Sequence, residues 1–204
     1  MKGIPLFFAI LFSFCNCACS EDKEDKIINI PADKPAHQVY REWHDVCLEG
    51  NSKAIEKQIN KFVQVLNQNP NDHLARAYLG SAYALRAKAG IFGPSKLLYL
   101  NKGKKQLNAA VEAAPHDPRF RMVRAIGYYK VPTRFKTRPT AVSDFEFLMK
   151  AISQKNCPLL VNEKQAALYY AHLTFKEEDH KDAAKAKLLC HQLAPNSAYG
   201  KLTK

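Results

Sequence analysis

Glycine is scarce in this chain of 204 residues, with 8 in all, and tryptophan occurs once. The glycines never cluster, which excludes a collagen repeat, a flexible linker and a phosphate-cradling loop. No GxGxxG, Walker, HExxH or GxSxG pattern occurs, so nothing in the sequence points to a nucleotide site, a zinc protease or a serine hydrolase. Period-two alternation bounded by turn residues is missing as well, and no strands are expected. Beyond the N-terminus, no run approaches the roughly 18 apolar residues that a membrane helix needs. Acid is in short supply. Lysine and arginine number 31 against 19 aspartates and glutamates, a formal charge of +12. Such a balance favours anionic partners or surfaces and says nothing about fold. A content of 47% hydrophobic and 10% aromatic residues is that of an ordinary globular chain, with one domain as the default.

The N-terminus has the layout of an export signal. Met1-Lys2 supplies the positive start, Ile4 to Phe14 is uncharged, and Asn16-Cys17-Ala18-Cys19-Ser20 offers small residues for cleavage before an abruptly charged stretch. Two cuts compete: after Ser20, or ahead of Cys19 with that cysteine lipidated. Ala18-Cys19 resembles the end of a bacterial lipobox, and Cys19-Ser-Glu-Asp-Lys-Glu-Asp is similar to the acidic tether of Bacteroidetes-type surface lipoproteins. The expected organisation is a signal over 1–20, a charged tether with Pro31 and Pro35 over 21–35, and a helical domain over 36–204. Three of the six cysteines fall in the signal region, leaving Cys47, Cys157 and Cys190. With no CxxC spacing, these are read as isolated small hydrophobes, a Cys157–Cys190 bridge being the alternative in an oxidising compartment.

From Ala36 onward apolar residues recur at helical spacing. Ile55, Ile59, Phe62, Val63 and Leu66 mark one face of a helix, with Ser52 expected as its N-cap. Asn69-Pro70-Asn71-Asp72 ends that helix and begins another, and Asp117-Pro118 repeats the cap followed by a first-turn proline.

The helices also repeat. Arg76, Leu79, Gly80 and Tyr83, followed by Leu107, Ala110 and Pro115, resemble the tetratricopeptide (TPR) pattern, with Arg76 where that family usually carries tryptophan. Phe62 and Val65, then Ala125, Tyr128, Ala141, Phe145 and Leu148, and finally Ala171, Ala183 and Cys190 occupy corresponding positions. Over residues 74–150, Tyr78 to Ala87, Lys102-Gly103, Ala110-Val111-x-Ala113-x-Pro115, Arg121, Arg124, Pro132, Phe135 and Asp144 are similar to a family of exported bacterial TPR-like proteins. The resemblance implies an all-α, TPR-like α-solenoid of about four antiparallel helix pairs with inserted loops. It implies export and donates no activity.

The first helix of each TPR-like pair lines a concave groove, and in this register Tyr40, Trp43, Arg119, Met122, Tyr129, Lys130, Gln165 and His172 would face it. Aromatic anchors among charges suit a bound protein segment. Arg121 and Arg124 have two readings: an anion clamp, since guanidinium forks match carboxylate and phosphate, or a structural pair with Asp144 or Glu112. Lys96, Arg134, Lys136 and Arg138 join the anion candidates, because the inserts Ala89–Leu100 and Lys130–Pro139 are basic and aromatic. The first insert reads either as a surface loop for a partner or membrane, or as an extended helix start. His44 and Cys47 stand one turn apart, but two ligands do not make a metal site. The expected protein is a non-catalytic scaffold or assembly factor of the bacterial cell envelope. It would bind another protein or peptide segment, of acidic character, without cofactor, metal or nucleic acid. The alternative is an exported protein binding a small molecule or anion through its basic loops.

Overall fold

The computed structural model describes Ile28, Ile30, Pro31 and residues 33–204; Cys19 and the two cleavage sites lie outside them. The described residues are all-helical, with nine α-helices packed against one another. In chain order these are α1 (Ala36–Leu48), α2 (Ser52–Gln68), α3 (His73–Ala89), α4 (Gly93–Ala113) and α5 (Pro118–Lys130), then α6 (Arg138–Ile152), α7 (Val161–Glu177), α8 (Ala183–Leu193) and α9 (Ala198–Leu202). A single 3-10 turn, Thr133–Phe135, lies between α5 and α6.

Local chemistry sets the helix ends. Asp72 accepts from the Ala75 amide at 2.9 Å, and Asp117 accepts from the Arg119 amide at 2.8 Å with Pro118 in the first turn. The expected Ser52 cap is corrected. Asn51 holds the Lys53 and Ala54 amides at 3.0 and 3.1 Å, while the Ser52 hydroxyl donates to the Ala89 carbonyl at 3.3 Å and ties α2 to the end of α3. Most of the first insert is helix, because Gly93-Pro94 opens α4 rather than breaking it.

The crossing of α3 and α4 is built on two glycines. A Cβ on Gly80 would stand 2.7 Å from Leu107 Cγ and 2.9 Å from the Leu107 backbone nitrogen; one on Gly103 would stand 2.8 Å from the Gly80 carbonyl oxygen. α3 and α4 therefore meet backbone to backbone. Around this crossing the core interleaves large side chains (Phe62, Leu107, Phe145, Leu148, Leu168, Phe175) with Ala75, Ala82, Ala125, Ala141, Ala171 and Ala186. Ile28 and Ile30 lie against the same core, so packing begins ahead of α1. Cys47 and Cys190 are buried free thiols and Cys157 is a half-buried one. Burial pushes the Cys47 thiol up to about 12, which keeps it protonated and unreactive.

Each odd-numbered helix packs on the next: α1 on α3, α3 on α5, α5 on α7, α7 on α9. Each even-numbered helix packs between its two chain neighbours. The odd row is curled. Helix axes lie roughly 8–10 Å apart, so a flat row would hold α1 and α7 about 24–30 Å from each other. Yet Arg41 of α1 pairs with Glu163 of α7, across 122 residues of sequence. The side on which they meet is the inner face.

Candidate functional site

The N-terminal ends of the odd helices close the inner face at one end. Beside the Arg41–Glu163 pair, Arg119 is held by Asp117, and His37, Leu74, Tyr78, Met122 and Leu160 complete the walls of a cavity of about 80 Å³. Pockets for small organic ligands usually run to roughly 300–1,000 Å³. This one has room for a few water molecules and no organic ligand.

Further along the same row the surface becomes aromatic. Tyr129 of α5, Tyr169 and Tyr170 of α7, and Tyr199 of α9 form one connected cluster. Ring centroids are 5.6 Å apart for Tyr129–Tyr170, 5.1 Å for Tyr169–Tyr199 and 5.3 Å for Tyr169–Tyr170. All four rings are half-buried. The exposed Lys130 ammonium stands 5.0 Å from the Tyr170 ring centre, and the Arg138 guanidinium 4.6 Å from that of Tyr129. Tyr129 donates to Glu177 at 2.8 Å; burial and that carboxylate push its phenol up to about 12, so the hydroxyl stays neutral. Across the face, His44 Nε2 lies 2.7 Å from the Ser81 hydroxyl. Burial, aided by the Lys130 charge, pushes His44 down to about 4, so at neutral pH its ring is uncharged.

Of the eight residues expected in the groove, Arg119 and Met122 line the cavity between the odd helices, and Tyr129 and Lys130 lie against Tyr170 of α7. Four are corrected. Tyr40 is 1% exposed and donates to Asp72 at 2.6 Å, in the seam where Trp43 packs on Phe62 beneath Lys61. Gln165 is 2% exposed and donates to the carbonyls of Cys190 and Ala194, both at 3.0 Å, while His172 Nδ1 lies 2.9 Å from the Ala183 carbonyl. These four join α1 to α2 and α7 to α8. Tyr169, Tyr170 and Tyr199 were not anticipated. The signal was the tyrosine doublet, 128–129 on α5 and 169–170 on α7, placing a second ring on the same row.

The anion candidates divide sharply. Asp144 is fully buried and accepts from Arg121 Nη1 at 2.7 Å and from Arg124 Nε and Nη2 at 2.7 and 2.9 Å. Arg124 and Tyr128 both donate to Asn108, at 3.3 and 2.8 Å. The clamp reading of Arg121 and Arg124 is thereby corrected: the anion they hold is internal. Arg138 is also buried, 3.0 Å from Glu177 and 3.6 Å from Glu178. Lys96, Arg134 and Lys136 are exposed, and no ion pair among the described residues holds them.

A larger, open depression of about 710 Å³ lies at the junction of α5 and α6, lined by His116, Phe147, Lys150, Gln154, Asn156 and Cys157 among others. No nucleophile in it is paired with a base. Among the described residues no three His, Cys, Asp or Glu side chains are grouped to hold a metal ion. None of their helices is long and apolar enough to cross a membrane. Comparison with known proteins yields no match to a family model, to a curated protein or to a solved structure.

Proposed function

We propose that this protein is a non-catalytic binding scaffold of the bacterial cell envelope, exported and built as a TPR-like row of helix pairs, whose inner face takes an extended acidic segment of another protein. The observation that carries the reading is the cluster of Tyr129, Tyr169, Tyr170 and Tyr199, half-buried, with Lys130 over it. Tyrosine offers large, rigid contact area with a polar tip and is enriched where protein segments dock. The exposed Lys130 beside the rings supplies the charge that an acidic segment needs, since Arg138 is held by Glu177 and Glu178. The curl of the odd row and the glycine crossing of α3 on α4 agree with TPR-like stacking, in which successive first helices line a concave surface. Export rests on the N-terminal sequence alone.

The small-ligand alternative is weaker, since the enclosed cavity is small and Arg121 and Arg124 are spent on Asp144. The test is selection of peptides from a displayed library on the full chain, with counter-selection on Tyr170→Ser/Lys130→Glu. Acidic, aromatic-containing peptides that bind the parent and lose at least tenfold on that variant are the expected result. Peptides indifferent to it, yet sensitive to Lys150→Glu in the depression at the junction of α5 and α6, would move the site there.

A further inference from the structure

The corner between α3 and α4 exposes apolar side chains that nothing among the described residues covers. Ile91 is fully exposed, Phe92 68%, Leu97 48% and Leu98 54%. They are four large hydrophobics within eight residues, on a protruding turn and the first turns of α4. Beneath them, Ala87, Leu100 and Val131 form a small buried cluster of their own, flanked by Tyr99 and Phe135, which locks the corner onto the 3-10 turn. The tip is therefore both apolar and firmly supported.

Its surroundings carry one sign of charge. Between Asp72 and Glu112 the chain contains no acid, and between Asp117 and Asp144 there is again none. Lys88, Lys96, Lys102, Arg134 and Lys136 on these two segments are exposed. The acids on the neighbouring elements are Glu56, tied to Arg86 at 2.9 Å and Tyr99 at 2.6 Å, and the exposed Glu49 after α1. An apolar tip in a lysine-rich rim differs from a protein-docking patch, where lysine is depleted and aromatic residues and arginine dominate. It matches a bilayer interface, where apolar side chains enter the acyl boundary and ammonium groups meet anionic headgroups.

We infer that the α3–α4 corner is a membrane-docking element that inserts Ile91 and Phe92 into an anionic lipid surface, with Lys96 and Lys136 engaging the headgroups. The site is distinct from the tyrosine face, and it operates with or without a lipid on Cys19. One side of the protein is thus held against the membrane.

The test uses the full chain carrying Phe92→Trp, compared with the parent so that the signal of Trp43 is subtracted. It is mixed with vesicles rich in phosphatidylglycerol or made of phosphatidylcholine alone, each containing acyl-brominated lipid. Quenching of the position-92 indole with a blue-shifted emission is expected on the anionic vesicles and not on the neutral ones. Ile91→Ser/Phe92→Ser should weaken anionic-vesicle binding at least tenfold, and each of Lys96→Ala and Lys136→Ala about fivefold. Ile91 and Phe92 are exposed, so melting should not change and serves as the folding control. A chain that binds vesicles with position 92 unquenched is held by its N-terminal segment alone, and the inference fails. Equal quenching on both lipids removes the electrostatic part. Shielding of position 92 by self-association without lipid assigns the corner to a second copy instead. None of these outcomes depends on peptide binding at the tyrosine face.

Discussion

The arginines of α5 and the lysines of the α3–α4 corner come from stretches of similar composition, basic and free of acid, yet the fold uses them in opposite ways. Arg121 and Arg124 converge on one buried carboxylate, Asp144, delivered by α6 from 20 or more residues away. Lys96 and Lys136 are in no ion pair among the described residues and stay exposed, on the two segments that the Ala87–Leu100–Val131 cluster joins. The difference lies in the partner. A basic run becomes structural when the topology brings it a buried acid, and it remains available for recognition when none arrives.

The sharpest way to break this contrast is to remove the partner. Asp144→Ala should destabilise the protein by about 3–5 kcal/mol, because two guanidinium groups are left half-buried without a counter-charge. The joint replacement Arg121→Met/Arg124→Met/Asp144→Leu should cost much less, since it leaves no charge stranded. Equal melting temperatures for Asp144→Ala and the parent would mean that the cluster is not structural.

Gly80→Leu tests the rigid support of the same hairpin whose other end is exposed. With backbone atoms of α4 within 3.0 Å of the added Cβ, relaxation is blocked, and the cost should reach about 3 kcal/mol, the upper end for overpacking. Denaturant midpoints measure it, and no change would place Gly80 away from the crossing.

His44 offers a third case, a base beside a cation with no acid to balance it. Its folded value of about 4 lies below that of the unfolded chain, near 6.5. Stability is therefore complete above about pH 6.5 and falls as the pH drops towards 4, where the unfolded state binds the proton first. After allowance for its partial exposure, the loss by pH 4 should be about 2 kcal/mol. His44→Gln should flatten that slope in acid-range melting curves; an unchanged slope would assign the acid sensitivity elsewhere.

The smallest effect is expected at the corner. Lys96→Ala and Lys136→Gly should each shift stability by no more than about 0.5 kcal/mol. Lys136 has a backbone φ of 54°, in the left-handed region, so glycine fits there without strain. A larger loss would mean that these charges support the fold.

Much of the architecture was legible in the sequence, because helical periodicity and capping are local. Asp117-Pro118 marked a helix start, and Gly80 marked a crossing whose partner glycine, 103, lay in the motif as well. The site was less legible. Tyr40 and Gln165 sit on the expected helices, but periodicity does not say which flank of a helix meets its own pair-mate and which meets the inner face. Asn51 and Ser52 are both good caps and adjacent, so propensity alone did not choose between them. The exposed corner was recognisable as basic and apolar, whereas its extension into α4 needed the buried contact of Leu100 with Ala87 and Val131.

The pairing of Arg41 with Glu163 has a consequence for how the molecule comes apart. In an array where each helix pair touches only its neighbours, the ends fray one at a time, and stability is a sum of local steps. Here a clasp joins α1 to α7, two helices far apart in the chain. Loss of α1 then also strips the counter-charge from Glu163 on α7, so opening at the first helix is felt at the seventh as well as at its immediate neighbours.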